Sequence, residues 1–373
     1  MKSIGILFKP EQSWLREVFL GISEWAEHQD WVFEFGTHQN PYLIEETPHL
    51  DGIITDRPIE GDLNALQGIP TVYLGPNLTP CVQEDFILSG RMCARHLLER
   101  GYRHLAVFHH RNEHLLPPLL RLQGFREEGE KAGCFVEVFR IGRRTRKKGA
   151  WTLEDQHRDL ADFLRDLPKP LGVMAANVDY SKRLHSVCRK EGFRIPEELA
   201  LISPSDEPLI FNNTRPGISA IVPDQRKEGR EAAKALAGLM QGEVIPERTL
   251  IPPFDLNVRG STDHRIMQDP MCETVVKYIW SHLDESPSRE DLAKLVHVTP
   301  RTLHRHFTQE VGRTPTEEML YARIETAKRL LATTSIPLVE IALQCGYSSQ
   351  SAFNRHFRKA VDSTPLEWRA RFQ

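Results

Sequence analysis

At 373 residues, with 40% hydrophobic and 27% charged side chains, the chain has the length of two or three domains and an ordinary globular composition. No stretch approaches 18 apolar residues, and the five-residue apolar run before Pro10 is too short for a secretory signal, so membrane and export readings are set aside. The net charge of −3 hides an asymmetry, because from Pro270 onward 14 Lys and Arg face 12 Asp and Glu, a balance that permits a nucleic-acid surface there.

In chain order, the spacing predicts a strand at Ser3–Phe8, a helix at Trp14–His28 and a strand at Trp31–Phe35. Strands at Gly52–Thr55 and Thr71–Leu74 follow, then a helix from Asp85 to Arg100 closed by Gly101. Next come the strand Leu105–Phe108, the helix Arg121–Ala132 ended by Gly133, and the strand Phe135–Phe139. A helix over 154–166, the strand Leu171–Ala175, a helix over 180–191 and the strand Leu199–Ser203 continue the series. Short apolar runs alternating with amphipathic ones imply an α/β region of parallel sheets covered by helices on both faces, and this length accommodates two sheets.

The six cysteines are far apart and form no C-x-x-C pair, which reads as reduced thiols in a cytoplasmic protein. No G-x-G-x-x-G follows the first strand, and neither a phosphate-binding loop nor a G-x-S-x-G or H-E-x-x-H motif occurs, so no cofactor and no catalytic residue is expected. His109, His110 and His114 with Glu113 read better as loop residues after a strand than as metal ligands. The basic run Arg143, Arg144, Arg146, Lys147 and Lys148 reads as a solvated loop, with contact to DNA as a secondary reading. Open parallel sheets bind ligands at the carboxyl ends of their strands, which makes Lys9, Asp56, His109, Val178, Asp179, Ser205 and Asp206 candidates for an effector cleft. Each of them can equally cap a following helix.

Residues 1–262 resemble the periplasmic-binding-protein-like effector domain of regulators related to the lactose repressor. The resemblance rests on Gly172–Cys188 followed by Gly192-Phe193-Arg194-Ile195-Pro196-Glu197-Glu198-Leu199, on Asp85 opening a long helix, on Arg121-Leu122-Gln123-Gly124-Phe125, and on Val258-Arg259-Gly260-Ser261-Thr262. It implies that Arg121 contacts sugar hydroxyls and that Asp179 borders the ligand. The chain departs from sugar-binding members at Val178, where asparagine is frequent, and at Ser205, where aspartate is. For Arg121, an ion pair within the helical layer is the competing reading.

After Asp269-Pro270 the strand signal ends and the pattern is helical throughout. Thr299–Glu317 aligns with Ser349–Glu367 at an offset of fifty, with Arg, His, Phe, Val, Thr, Pro and Glu recurring, while Leu292-Ala293 matches Ile341-Ala342 at forty-nine. Each copy reads as a helix, a tight turn and a second helix. Helical pitch turns Leu303, Phe307, Phe353 and Phe357 inward and leaves Arg301, His304 and Arg305, then Gln350, Ser351, Asn354, Arg355 and Arg358, on the wet face. Arg, Asn and Gln are the side chains that make paired hydrogen bonds to base edges in the major groove. A long middle helix over 316–331 bridges the copies.

Residues 272–372 resemble the DNA-binding domain of the arabinose-regulator family. Ile336–Ala360 and Thr364-Pro365-Leu366-Glu367-Trp368-Arg369 carry the resemblance, with Asp362 standing where that family usually has glycine. It implies base contacts from Arg301, Arg305, Ser351 and Arg355. The fusion implies an effector-sensing and dimerising domain over 1–265 and a DNA-binding domain over 266–373. It also implies a homodimeric transcription activator on double-stranded DNA, controlled by xylose or a similar small sugar and in contact with RNA polymerase, with a non-sugar ligand or repression as alternatives and a sugar-converting enzyme, for which Asp179 and Asp206 are the tempting carboxylate pair, as a further one.

Overall fold

The computed structural model describes residues 1–36, 49–58, 66, 68–109, 116–140, 152–267, 269–285 and 287–372, with nothing stated for the side chains of residues 333, 371 and 372. His110, Glu113, His114 and the basic run 143–148 lie outside the described residues. The chain forms two compact units. One comprises 1–92, 110–127 and 221–255, and the other 93–109, 128–220 and 256–373.

The first unit is built on a six-stranded sheet of β1 (Lys2–Leu7), β2 (Trp31–Gly36), β3 (Gly52–Thr55), β4 (Thr71–Leu74), β5 (Cys81–Glu84) and β11 (Arg248–Ile251), in the order β11-β5-β4-β3-β1-β2. Its neighbouring strands run parallel. Helix α1 (Ser13–Ala26) packs on α7 (Gln225–Met240), and α7 lies across β3, β4 and β5. Ile4, Ile6, Val18, Ile22, Ile54, Val72, Ala232 and Leu236 are fully buried there.

The second sheet repeats the plan with β6 (His104–His109), β7 (Val136–Arg140), β8 (Leu171–Ala175), β9 (Leu199–Ser203), β10 (Ser219–Val222) and β12 (Asp255–Asn257), ordered β12-β10-β9-β8-β6-β7. Two helices, α2 (Phe86–Glu99) and α3 (Leu116–Lys131), begin in the first unit and end in the second. Helices α4 (Leu153–Asp166), α5 (Val178–Lys190) and the short α6 (Pro208–Phe211) complete this half. In each sheet the strand order reverses once, between β1 and β3 and between β6 and β8. The carboxyl end of such a switch point is where doubly wound sheets receive ligands.

The expected alternation holds, but the sequence reading ended its strands at Ser203. The structure adds β5, β10, β11, β12 and α7. Helix α3 also starts at Leu116 rather than Arg121, because Pro117 and Pro118 sit in its first turn, where a proline forfeits no helical hydrogen bond. All six cysteines are free and buried, and burial pushes the thiols of Cys188, Cys272 and Cys345 up to about 12.

From residue 270 the second unit is wholly helical: α8 (Pro270–Ser281), α9 (Arg289–Leu295), α10 (Pro300–Val311), α11 (Pro315–Thr333), α12 (Leu338–Gln344), α13 (Gln350–Val361) and α14 (Pro365–Phe372). Asp269 caps α8 with Pro270 at its first position, so the junction read from the sequence is a helix start.

Candidate functional site

Two copies of one motif make the first candidate site, α9–α10 and α12–α13. In the first turn the His297 N–H donates to the Lys294 carbonyl and the Val298 N–H to the Ala293 carbonyl. In the second, Gly346 donates to Leu343 and Tyr347 to Ala342, the same bonds forty-nine residues on. The turn needs a left-handed residue, supplied by His297 at φ 55° and by Gly346 at φ 74°. Only the second must be glycine, because a Cβ there would lie 1.8 Å from the Leu283 carbonyl oxygen.

The second helix of each copy opens on a hydroxyl cap, Thr299 accepting from the Thr302 N–H at 3.1 Å and Ser349 from the Ala352 N–H at 3.2 Å. Leu303 and Phe307 are buried in α10, as are Phe353 and Phe357 in α13. Arg301, His304, Arg305, Ser351, Asn354, Arg355 and Arg358 are exposed, as expected from helical pitch, whereas Gln350, the first residue of α13, is half-buried. Each copy then closes on a left-handed residue, Gly312 at φ 78° and Asp362 at φ 53°. The recurring Thr-Pro-x-Glu is a capping box, with the Thr314 and Thr364 hydroxyls accepting from the N–H of Glu317 and Glu367, whose carboxylates accept from the threonine N–H in return. Those bonds hold both carboxyls below their ordinary range.

Between the copies runs α11, whose 19 residues span about 28 Å at 1.5 Å each. Its Glu318 is fully buried, accepts from Arg265 Nη1 at 3.0 Å and Trp280 Nε1 at 3.0 Å, and forms an ion pair with Arg313, whose Nε lies 3.1 Å away. This hub binds the segment after the second sheet to α8 and α11. The same segment is anchored where the Ile266 N–H donates to the Arg100 carbonyl at 2.8 Å. The sequence reading missed the hub. A glutamate four places after the Thr314 cap, next to the capping-box Glu317, looks like one more acid of a helix start.

The effector candidates divide between the units. In the first, Leu7 pairs with Thr55, so exposed Lys9 and largely buried Asp56 leave neighbouring strands at the switch point. Arg121 is buried. Its Nη2 donates to Glu84 Oε2 at 2.9 Å, its guanidinium lies 4.9 Å from the centroid of the Phe86 ring, and the Ser89 hydroxyl donates to the other Glu84 oxygen. Arg121 is thus engaged in an ion pair, with Glu84 at the end of β5 and not with an acid of the helical layer. Gly124 has a packing role, since a Cβ there would lie 1.9 Å from the Ile87 carbonyl oxygen, and this contact seats α3 on α2. Glu228 on α7 is buried, and loss of hydration, with Glu84 and Asp224 adding repulsion, raises its carboxyl to about 8.

In the second unit, His109 ends β6 and is fully buried. Asn177 rather than Val178 or Asp179 caps α5, accepting from the Tyr180 N–H at 3.0 Å. Val178 is the helix's first residue, and the Asp179 side chain, 80% exposed, pairs with Lys182 at 2.6 Å. The carbonyl of Ser205 accepts from the Ser203 hydroxyl at 2.7 Å. The Asp206 side chain is 3% exposed and takes Arg259 Nη2 at 2.9 Å and Asn257 Nδ2 at 3.3 Å on one oxygen, while its other oxygen is buried without a hydrogen bond. Arg259 is fully engaged, donating also to Asn212 Oδ1 and the Ile218 carbonyl. Asp179 and Asp206, the two carboxylates that invite a catalytic reading, stand in opposite surroundings, one at the surface and one locked to an arginine.

Residues 94–262 match the family described as periplasmic binding protein-like domain, and residues 292–371 match a helix-turn-helix domain. The xylose operon regulatory protein of Haemophilus influenzae is 26% identical over 98% of this chain and 97% of its own length. Over nearly its whole length the chain is therefore similar to a two-part regulator, with each part matched by its own domain model. The Escherichia coli K12 protein of that name is 33% identical over 212 residues, a match that spans 56% of this chain and 54% of the relative. A solved structure described as the xylose-binding transcription activator xylR superposes with a TM-score of 0.60 at 26% identity, covering 99% of this chain and 97% of that one. Both halves of the fold read from the sequence are thus present: an α/β region like periplasmic binding proteins, and an all-α region with two helix-turn-helix units.

Proposed function

We propose that this chain is a sequence-specific transcription regulator whose two reading helices, α10 and α13, enter the major groove of double-stranded DNA. The observation that carries this is the duplication: two turns with the same hydrogen bonds, each followed by a capped helix with an exposed polar row, Arg and His in the first and Ser, Asn and Arg in the second. Arg301, His304 and Arg305 read from the first helix, and Gln350, Ser351, Asn354, Arg355 and Arg358 from the second. A rigid α11 favours target sites about one DNA turn, ~34 Å, apart. Following the relatives, the N-terminal region takes a small sugar, with D-xylose the first candidate. The protein acts as a homodimeric activator that contacts RNA polymerase.

Within the first unit, Lys9 and Asp56 at the switch point, with Glu84 at the end of β5 because it holds Arg121, are the candidates for the effector; within the second, His109 at the switch point and Ser205 and Asp206 after β9 are. Thermal-shift measurements with D-xylose, other pentoses, hexoses and sugar acids test the effector, since a bound ligand raises the melting temperature by mass action. Duplex DNA enriched from a random library tests the reader. Replacing Arg305 or Arg355 with Ala is expected to cost about 1–3 kcal/mol on the enriched sequence and to relax one base position. Equal weakening on enriched and random duplexes would assign that arginine to phosphate.

A further inference from the structure

Arg305 is held by a chain of polar contacts that begins outside its own helix. Asp269, at the end of the segment joining the second sheet to α8, uses Oδ1 to accept from the Met271 N–H at 2.9 Å and turns Oδ2 to His306 Nδ1 at 3.3 Å. On the far side of the ring, Arg305 Nη2 lies 3.2 Å from His306 Nε2. A guanidinium only donates, so Nε2 must carry a lone pair, and the imidazole proton must sit on Nδ1, facing the carboxylate. Asp269 therefore selects the one tautomer of His306 that can hold the Arg305 side chain. The second copy has the same Arg-His pair in Arg355 and His356, yet there His356 Nδ1 is buried without a hydrogen bond and its ring packs on Tyr347 at 5.6 Å. Among the described residues, the first reading helix is the one connected in this way to the joining segment, which is itself fastened to Arg100 through Ile266 and to Glu318 through Arg265.

We propose that Asp269 and His306 are positioning residues for base reading by Arg305, an inference that rests on Arg305 being a base reader. With Asp269 and His306 in place the guanidinium is pre-set before DNA arrives, so less side-chain freedom is lost on binding.

The test uses the full-length chain, with base preference at every position read by sequencing a randomised duplex library after binding. Asp269→Asn separates the roles of this residue. The cap requires the Asn oxygen to face the Met271 N–H, which turns the amide NH2 toward His306 and drives the proton to Nε2, the wrong side for Arg305. Asp269→Asn and His306→Ala should each lower preference at one position about threefold, the same position at which Arg305→Ala lowers it about tenfold, leaving all other positions and the melting temperature unchanged. His306→Gln presents an oxygen to Arg305 without help from Asp269, so it should keep the preference and make a second change, Asp269→Asn, silent. Loss with Arg305→Ala but unchanged preference with Asp269→Asn overturns the positioning role alone. No positional effect of Arg305→Ala overturns the base-reading role beneath it.

Discussion

At the scale of single residues, Arg121 illustrates how a family resemblance and a local contact make different demands on one side chain. Sequence reasoning places it at a ligand, and as a ligand contact its loss would leave the free protein's melting temperature alone. In the structure it neutralises Glu84 in a site where both side chains are under 10% exposed. Arg121→Ala should therefore destabilise the free protein by about 3–5 kcal/mol in urea titrations, because a buried carboxylate is left without its partner. Arg121→Ala with Glu84→Gln should recover most of that loss, and a double variant no more stable than the single one would remove the pair from the account. Glu228 gives a pH dependence of definite sign. The folded chain keeps a proton on this carboxyl up to about pH 8, whereas the unfolded chain releases it near 4.5. Its contribution to stability is thus whole below about 4.5 and lost as pH rises through 8. Melting temperatures should fall between about pH 5 and pH 8 in the native chain and fall less in Glu228→Gln, with the variant the more stable at the alkaline end by on the order of 1–3 kcal/mol. Parallel curves for the two proteins would contradict this.

At the scale of elements, the two copies of the helix-turn-helix differ where the chain is most constrained. Gly346→Ala meets both a left-handed backbone and the Leu283 carbonyl, so a loss of about 3 kcal/mol or more is expected on denaturation. Asp362→Gly relieves only the backbone and should stabilise by up to about 1 kcal/mol, read the same way. The reading helices were legible because leucine and phenylalanine at four-residue spacing leave little choice of face, and because the motif occurs twice. Helix α7 was not, since its buried positions are Glu228, Gly229, Ala232, Ala233, Leu236 and Gly238, mostly side chains too small to raise an apolar signal. Strand β5 hides for a different reason: Cys-Val-Gln-Glu is entirely buried, but half of it is polar. Strand β11, at the sheet edge, buries only Ile251. The site candidates follow the same division. The exposed reading faces came from pitch, whereas Arg121, Arg259 and Arg265, which pair with Glu84, Asp206 and Glu318, lie 37 to 53 residues away in sequence, beyond any local pattern.

At the scale of the whole molecule, the helical region has its own core of Cys272, Val275, Ile279, Leu292, Leu303, Phe307 and Ala322. A fragment over 263–373 should give a helical circular dichroism spectrum and unfold cooperatively. One beginning at 266 should be less stable by about 1–3 kcal/mol, because Glu318 loses Arg265, and a coil spectrum for the longer piece would show that the core is not self-sufficient. The first sheet behaves differently during biosynthesis. Its edge strand β11 and its covering helix α7 are supplied by residues 225–251, after nearly the entire second sheet has been made. At roughly 5–20 residues per second, a ribosome needs about 8 to 33 seconds to travel from β5 to β11. Throughout that interval the β5 edge and the apolar face beneath α7 await their partners, so the nascent first unit is the portion of this protein that a chaperone would be expected to shelter.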